Sequence, residues 1–270
     1  DRNAYVGDPR FVPPIPMQEL LSDEYAAARR ALIDPVRAIE GEPPAGEPLR
    51  VASTLPAYAG PRLAPAEIGE WDQANALALT TYLTVVDSDR NMVSITSSLL
   101  SGFGSGMVVE GAGFFLNNRM AYFSVEPDDV NVVAPGKRTR HTINPALALK
   151  DGKPYLAFGT PGADTQPQTQ LQFFLNVVEF GMGVQEALEQ PAVISTSFRA
   201  SYYPQRIAGT LITSAALPEH VRAALAALGH QLDVRDSRGV GSVKAIMIHP
   251  KTGALMGGVS PTGDSYVMGW

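Results

Sequence analysis

The stretch "ALALTTYLTVVDSDRNMVSITSSL", residues 76–99, determines the fold prediction. Two runs rich in β-branched residues, "TTYLTVVD" and "NMVSITSSL", are separated by the short polar segment "SDR". This pattern is typical of a β-hairpin. The pair Thr80 and Thr81 at its start has two interpretations. They are either β-branched residues that open a strand, which is common, or one of them is a nucleophile that becomes a chain terminus by self-cleavage.

Further hairpins and helices follow this stretch. Two more hairpins are predicted for "ALALKDGKPYLAFG", which turns at Asp151 and Gly152, and for "VKAIMIHPKTGALMGGVSP". Helical spacing is found in "QTQLQFFLNVVEFG", "GVQEALEQP" and "LPEHVRAALAALGH", the last closed by Gly229 and followed by a strand, "QLDVRD". Antiparallel strand pairs with helices in the middle predict an α+β layered sandwich rather than a doubly wound parallel sheet.

Residues 1–79 differ in composition from the rest of the chain. "MQELLSDEYAAARRALI" has helical spacing, whereas "EGEPPAGEPLRVASTLPAYAGPRLAPAE" is rich in Pro, Gly and Ala and is predicted to be a linker. The change from linker to strand composition falls at Thr80. We therefore divide the chain into residues 1–79 and residues 80–270.

Composition excludes several classes of protein and site. The 21 Lys and Arg residues are outnumbered by 27 Asp and Glu residues, so no nucleic-acid partner is expected at a net charge of −6. The absence of cysteine excludes disulfides, a thiolate nucleophile and Cys-based zinc sites. The four histidines lack metal-ligand spacing, and we expect neither a metal nor a cofactor. No apolar run approaches the roughly 20 residues that span a bilayer.

The chain begins at Asp1 rather than Met, and no signal-peptide pattern follows. We therefore expect a piece or a processed product of a longer precursor. The sequence leaves the compartment open between a bacterial-type cytoplasm and periplasm.

A threonine hydroxyl is a weak nucleophile and needs a nearby base. The α-amine of the same residue can serve, because its reference pKa of about 7.7 to 8.0 leaves an unprotonated fraction at neutral pH. That amine exists only after the Leu79–Thr80 bond is cut. The nucleophile hypothesis therefore predicts autocleavage between Leu79 and Thr80.

Five segments between residues 80 and 270 resemble, in order, the small subunit of the γ-glutamyltransferase family of N-terminal nucleophile hydrolases. They are "TTYLTVVDSDRNMVSIT", "FGSGMVVEGAGFFLNNRM", "APGKRTRHTINPALALKDGKPYLAFGTPGA", "LQFFLNVVEFGMGVQEALEQP" and "ALGHQL". "DRNAYVGDPRF" resembles the end of the large subunit. The resemblance implies a four-layer αββα sandwich and two subunits from one precursor. By this resemblance, residues 1–79 correspond to the tail of the large subunit plus the linker, and residues 80–270 to the small catalytic subunit. The rest of the large subunit is then expected as a partner.

The resemblance also implies catalytic roles. Thr80 takes the position of the nucleophile, and Ser98 stands where the family has a Thr whose hydroxyl bonds to that nucleophile. In "GTPGA", Gly162 and Ala163 occupy the place of paired glycines whose N–H groups hold the oxyanion. Ala163 keeps that donor provided its φ stays negative. A tight turn between strand and helix is the alternative for this motif.

The substrate-binding stretch departs from the glutathione-cleaving pattern "LNNQMDDFS". It reads "LNNRMAYFS" here, so that Arg119 replaces an amide and Tyr122 an acid that pairs with the substrate α-ammonium. His141 and Thr142 replace paired serines that bind the α-carboxylate, and Leu100 replaces an Asn. An α-ammonium would lose its counter-charge and face a cation. "NNRMAYFSVEPDD", "APGKRTRHTINPA" and "ADTQPQTQ" are more similar to the oxamate amidohydrolase and γ-glutamyltransferase-like branch.

The substrate expected from these changes is a small amide that carries a carboxylate, because the Arg119 fork suits that group. Two alternatives remain open for the chain: a genuine γ-glutamyltransferase or glutathione hydrolase, and an unprocessed pseudoenzyme scaffold. Alternatives also remain for single residues. Arg119 could pair with Asp128 or Asp129, His141 could make a structural hydrogen bond, and Tyr122 could fill the space of the glutamyl group.

Overall fold

The computed structural model describes residues 1–48, 79–202, 205, 207–235, 241–262 and 265–270. The linker predicted from the Pro-, Gly- and Ala-rich segment lies mostly in residues 49–78, outside the described residues. No helix among the described residues is long and apolar enough to cross a bilayer.

The N-terminal segment contains three short helices: α1 (Arg2–Tyr5), α2 (Met17–Leu20) and α3 (Asp23–Arg30). The sequence predicted one helix where α2 and α3 lie. The structure interrupts it at Ser22, whose hydroxyl accepts a hydrogen bond of 3.1 Å from the N–H of Tyr25. A serine that caps a helix in this way starts a new helix instead of continuing the previous one.

The first predicted hairpin is confirmed. Strands β1 (Leu79–Val86) and β2 (Met92–Leu100) pair antiparallel, and Thr80 lies opposite Ser98. The turn between them is fixed by Asp87, which accepts a hydrogen bond of 2.8 Å from the N–H of Asn91.

The other two predicted hairpins form one antiparallel sheet of four strands. In spatial order, its strands are β3 (Ala146–Lys150), β4 (Lys153–Gly159), β8 (Lys244–Ile248) and β9 (Leu255–Val259). The turn between β3 and β4 uses Asp151 (φ +51°) and Gly152 (φ +73°), as the sequence predicted.

Helices α4 (Gln166–Val178) and α5 (Val184–Glu189) cover one face of this sheet and enclose the main core. The core joins residues of β4 and β8 to apolar residues of both helices: Leu156, Phe158, Ala245, Met247, Phe173, Val177, Val184 and Leu188. Each fully buried Val, Leu, Phe or Met side chain contributes about 1.5 to 3 kcal/mol to the stability of the fold.

The β1–β2 hairpin packs on the opposite face of the sheet. The ring of Tyr82 lies against Gly159, where a Cβ atom would come within 2.3 Å of the ring. The hydroxyl of Tyr82 lies 2.7 Å from Ser94 Oγ, which in turn contacts the carbonyl oxygen of Phe158 at 3.4 Å. A glycine at position 159 is therefore required for the hairpin to approach β4.

A second sheet of three strands contains β5 (Val193–Ser195), β6 (Leu211–Ser214) and β7 (Leu232–Arg235). β6 and β7 pair parallel, whereas the sequence indicated only antiparallel pairs. A parallel pair needs a crossover between its strands, and α6 (Glu219–Ala227) provides it. The predicted α+β class is confirmed.

Candidate active site

The hydroxyl of Thr80 lies in a short chain of hydrogen bonds at the start of β1. Its Oγ1 donates to Ser98 Oγ at 3.1 Å, and Ser98 Oγ donates to the carbonyl oxygen of Leu79 at 2.8 Å. The N–H of Leu100 donates to the same Ser98 oxygen at 3.1 Å. Ser98 therefore contacts both the hydroxyl of Thr80 and the carbonyl group that Thr80 would attack in autocleavage.

A β-bulge fixes this arrangement. The pairing of β1 with β2 shifts between Leu79 and Thr80, so that Leu79 lies opposite Leu100 while Thr80 lies opposite Ser98. Leu100 has a φ of +80°, a left-handed conformation that is uncommon for leucine. The extra residue bends the strand and brings the Leu79 carbonyl group within reach of Ser98.

The turn after β4 has an unusual backbone. Gly162 has a φ of +125° and Ala163 a φ of +46°. The condition of a negative φ at Ala163 is therefore not met, because the turn into the following 3-10 helix (Ala163–Thr165) requires a left-handed residue at this position. The backbone N–H of Ala163 is nevertheless present, since it does not depend on the sign of φ. Ala163 is only 2% exposed, and in the described part of the chain the N–H groups of Gly162 and Ala163 have no acceptor. Successive free N–H groups in a turn are suited to an anion.

One contact links β1, which carries Thr80, to β4, which leads into the Gly162–Ala163 turn. Thr80 and Tyr82 share the inner face of β1, and the ring of Tyr82 touches Gly159 at the end of β4. The Gly162–Ala163 turn begins three residues after Gly159. The structure thus places the start of β1 and the end of β4 beside each other.

Arg119 is a buried cation at the start of a 3-10 helix (Arg119–Tyr122). It is 9% exposed, and its guanidinium carbon lies 5.4 Å from the centre of the Tyr122 ring. Its Nη1 is buried without a hydrogen-bond partner among the described residues. The alternative that Arg119 pairs with Asp128 or Asp129 is wrong for the described chain, which shows no such ion pair.

His141, Thr142 and Tyr122 lie around this cation. Tyr122 is 1% exposed, and its hydroxyl lies 3.1 Å from Thr142 Oγ1. Loss of hydration lowers the pKa of His141, and the positive charge of Arg119 lowers it further. His141 Nδ1 accepts the N–H of Ile143 at 3.3 Å, which leaves Nε2 to carry the proton of a neutral ring. The structure therefore brings the four predicted substrate-binding residues together.

Main-chain contacts join this cluster to the other two parts of the site. The N–H of Asn118 donates to the Leu99 carbonyl oxygen at 3.1 Å, which ties the helix of Arg119 to the end of β2. The buried amide of Gln166, in the orientation that satisfies its neighbours, donates to the carbonyl oxygens of Thr142 at 3.1 Å and Thr160 at 3.2 Å. The predicted nucleophile, oxyanion turn and substrate-binding residues are thus held by one connected framework.

Sequence reasoning missed two buried acidic residues and the arginine residues that bind them. Asp164 follows Ala163 and pairs with Arg2. Asp8 is buried and accepts the N–H of Arg138 at 2.7 Å, and hydrogen bonds from Arg10 lower its pKa. The position of Asp164 next to "TPGA" was the only sign of its ion pair in the local sequence, because Arg2, its partner, is distant in sequence.

Comparison with known proteins identifies the family of this chain. The sequence model described as Gamma-glutamyltranspeptidase matches residues 1–270. The chain is 31% identical over 257 residues to a glutathione hydrolase proenzyme of Bacillus subtilis subsp. natto, covering 95% of this chain and 40% of that protein. It is 32% identical over 209 residues to an oxamate amidohydrolase proenzyme of Klebsiella pneumoniae, covering 76% of this chain and 38% of that protein.

A solved structure agrees with these relatives. The crystal structure of a cephalosporin acylase from Bacillus halodurans is 33% identical, has a TM-score of 0.73, and covers 96% of this chain and 40% of that one. The chain therefore spans about two fifths of the length of these proteins. Because the family model matches residues 1–270, this chain belongs to the gamma-glutamyltranspeptidase family.

Proposed function

We propose that this chain is the catalytic part of a self-processing amide hydrolase or acyltransferase. Thr80 Oγ attacks the carbonyl carbon of Leu79, and the peptide nitrogen leaves as the free amine of Thr80. Water then hydrolyses the resulting ester, which releases the Leu79 carboxylate and restores the Thr80 hydroxyl. The observation that carries this proposal is the placement of Ser98 Oγ between the Thr80 hydroxyl and the Leu79 carbonyl oxygen.

The same groups serve the reaction with a substrate. The α-amine of Thr80 accepts the proton of the Thr80 hydroxyl, which attacks the amide carbonyl. The free N–H groups of Gly162 and Ala163 stabilise the oxyanion, and the amine passes its proton to the leaving nitrogen. Water, or an amine in the transferase reaction, then takes the acyl group from the Thr80 ester.

The substrate class follows from Arg119. This buried guanidinium has no counter-charge in the part of the chain that the structure describes. Such a charge is costly, and a bound carboxylate would supply both charge and hydrogen bonds. Tyr122 fills the neighbouring space and has no charge to offer an α-ammonium. We therefore assign a small amide whose acyl group ends in a carboxylate, with Arg119, Tyr122, His141 and Thr142 as its binding residues.

The rest of the precursor completes the fold in this proposal. The outer face of the β1–β2 hairpin exposes an apolar stripe formed by Leu83, Val85, Val93 and Ile95. The named relatives are more than twice as long as the part this chain covers. Residues 1–79 would be the tail of the large subunit and its linker, residues 80–270 the small subunit, and the missing chain would cover the stripe to form the four-layer αββα sandwich.

The first experiment tests autocleavage. Incubation of the intact gene product should give two fragments on a denaturing gel, with a new N-terminus Thr-Thr-Tyr-Leu, and Thr80→Ala should abolish the split. A single uncut band from the unmodified protein would instead identify an unprocessed scaffold.

The substrate class is tested with a matched pair of anilides. Glutaryl p-nitroanilide and γ-glutamyl p-nitroanilide have the same acyl length and differ in the α-amino group. We expect faster release of nitroaniline from the glutaryl compound, and Arg119→Gln should raise its KM about tenfold or more. Hydrolysis of oxamate, measured by the release of ammonia, tests the smallest amide of this class. Rapid release from the γ-glutamyl compound alone would favour a genuine γ-glutamyltransferase.

A further inference from the structure

A side chain that precedes the proposed cleavage point reaches the turn after β4. Arg2 Nη1 pairs with Oδ1 of Asp164, and Arg2 Nη2 donates to the carbonyl oxygen of Arg199 at 3.2 Å. The two paired residues are 162 positions apart. Cleavage between Leu79 and Thr80 would therefore leave Arg2 and Asp164 on different fragments that this ion pair joins.

Asp164 is a buried carboxylate with a full set of donors. It is 3% exposed, and it accepts the N–H of Ser201 at 2.8 Å as well as the Ser201 hydroxyl. In the described part of the chain, Arg2 makes its only ion pair. Removal of Arg2 would leave this buried carboxylate without its ion pair, since the nearby cation of Arg140 interacts with Asp164 but forms no ion pair with it in the described chain. The position of Asp164 therefore depends on Arg2.

The residue held by Asp164 is strained. Asp164 directly follows Ala163, whose left-handed conformation costs about 1 to 2 kcal/mol for a residue with a Cβ atom. Such a conformation persists only where its surroundings impose it. On one side Thr165 binds the Gly162 carbonyl oxygen through its N–H at 2.8 Å and its hydroxyl at 2.7 Å. On the other side the contacts of Asp164 fix the chain.

We propose that Arg2, acting through Asp164, positions the Gly162–Ala163 turn, so that the segment before the cleavage point remains a working part of the site after processing. The catalytic meaning of this role rests on the proposed function, in which the turn receives the oxyanion. Arg2 is a positioning residue: it touches neither the nucleophile nor the acyl group, and it orders the donors by holding Asp164.

The test uses the intact gene product carrying Arg2→Gln or Asp164→Asn. The matched control is Glu219→Gln, which removes an exposed ion pair with Arg222 on α6. Amide hydrogen exchange, followed by mass spectrometry, should become about tenfold faster or more in the segment 160–166 of the two site variants. It should stay unchanged there in the control.

Kinetics provide a second readout that general loosening would not give. In Arg2→Gln we expect kcat for glutaryl p-nitroanilide to fall about 10-fold to 100-fold while KM changes less than about twofold, because only oxyanion stabilisation is lost. Affinity for 4-boronobutanoate, whose boron forms a tetrahedral adduct with the nucleophile, should fall in parallel. Arg2→Lys keeps the cation and should restore most of both values.

The outcomes separate this proposal from the proposed function. If the unmodified protein neither cuts itself nor hydrolyses any probe, the proposed function fails, and exchange in 160–166 still decides whether Arg2 and Asp164 order the turn. Unchanged exchange in both site variants overturns the positioning role. An equal rise in exchange along the whole chain, with kcat and KM both altered, also overturns it, because Arg2 would then stabilise the fold in general.

Discussion

Ser98 donates a hydrogen bond of 2.8 Å to the carbonyl oxygen of Leu79, the residue before the proposed nucleophile. The same oxygen of Ser98 accepts the Thr80 hydroxyl at 3.1 Å. A donor on a carbonyl oxygen stabilises the negative charge that develops there during attack. Under the proposed function, this relationship gives Ser98 a role in autocleavage as well as in catalysis.

Replacement of Ser98 by Ala should slow autocleavage about tenfold or more, because a hydrogen bond to developing charge contributes about 1.5 to 3 kcal/mol. Ser98→Thr, which keeps the hydroxyl, should process at close to the normal rate. The appearance of the two fragments is followed over time on a denaturing gel. Ser88→Ala, in the exposed turn at the other end of the hairpin, is the control. Equal processing rates in Ser98→Ala and the unmodified protein would exclude the proposed role.

Ala163→Gly should raise the free energy of unfolding by up to about 1 kcal/mol. Relief of the left-handed conformation exceeds the extra entropy that glycine gives the unfolded chain. Ala163→Val should lower the free energy of unfolding by about 2 kcal/mol or more, because a β-branched residue is strained at this φ and the site is buried. Urea unfolding measures both changes. A loss of stability in Ala163→Gly would contradict the observed backbone conformation.

The backbone of Ala163 also shows where sequence reasoning stops. The hairpins were predictable, because turn residues such as Asp151 and Gly152 and the alternation of β-branched residues are local signals. The sign of φ at Ala163 was not, because a left-handed alanine is imposed by distant contacts such as that of Asp164 with Arg2. The same limit applies to the parallel pair of β6 and β7, whose strands are joined only through a helix.

The sequence selected the residues of the candidate site, whose roles stay predictions, but it did not define their contacts. Resemblance to known motifs selected Thr80, Ser98 and Arg119, and the structure places them on a connected framework. The ion-pair alternative for Arg119 depended on side-chain direction, which sequence spacing does not define. That Arg119 has no counter-charge among the described residues became visible only from its burial and contacts.

Arg119→Met should raise the free energy of unfolding by about 1 kcal/mol or more while it weakens binding of glutaryl p-nitroanilide. The reason is that an apolar side chain of similar length removes a buried charge that has no ion pair within the described ranges. Stability is measured by urea unfolding and binding by KM. Arg138→Met, at an exposed arginine, is the control. A clear loss of stability in Arg119→Met would mean that a part of the protein outside the described residues supplies an anion to Arg119.

The binding of a carboxylate substrate should depend on pH through His141. Its pKa lies below the ordinary value of 6.5, because its ring loses hydration and faces the charge of Arg119. The ring is therefore neutral at neutral pH and gains a proton only as the pH falls through this lowered value. The added charge lies beside Arg119 and favours a carboxylate, so KM for glutaryl p-nitroanilide should fall as the pH is lowered from 7 to 5.

The substrate carboxylate stays ionised over this range, since its reference pKa is about 4.3. Protonation has the opposite effect on stability: the unfolded chain binds the proton more readily than the folded one, so the free energy of unfolding should decrease as the pH falls below about 6.5. His141→Asn, whose side-chain oxygen can still accept the N–H of Ile143, should abolish the fall in KM and flatten the stability profile. If KM in His141→Asn followed the same pH profile as in the unmodified protein, another group would be responsible for it.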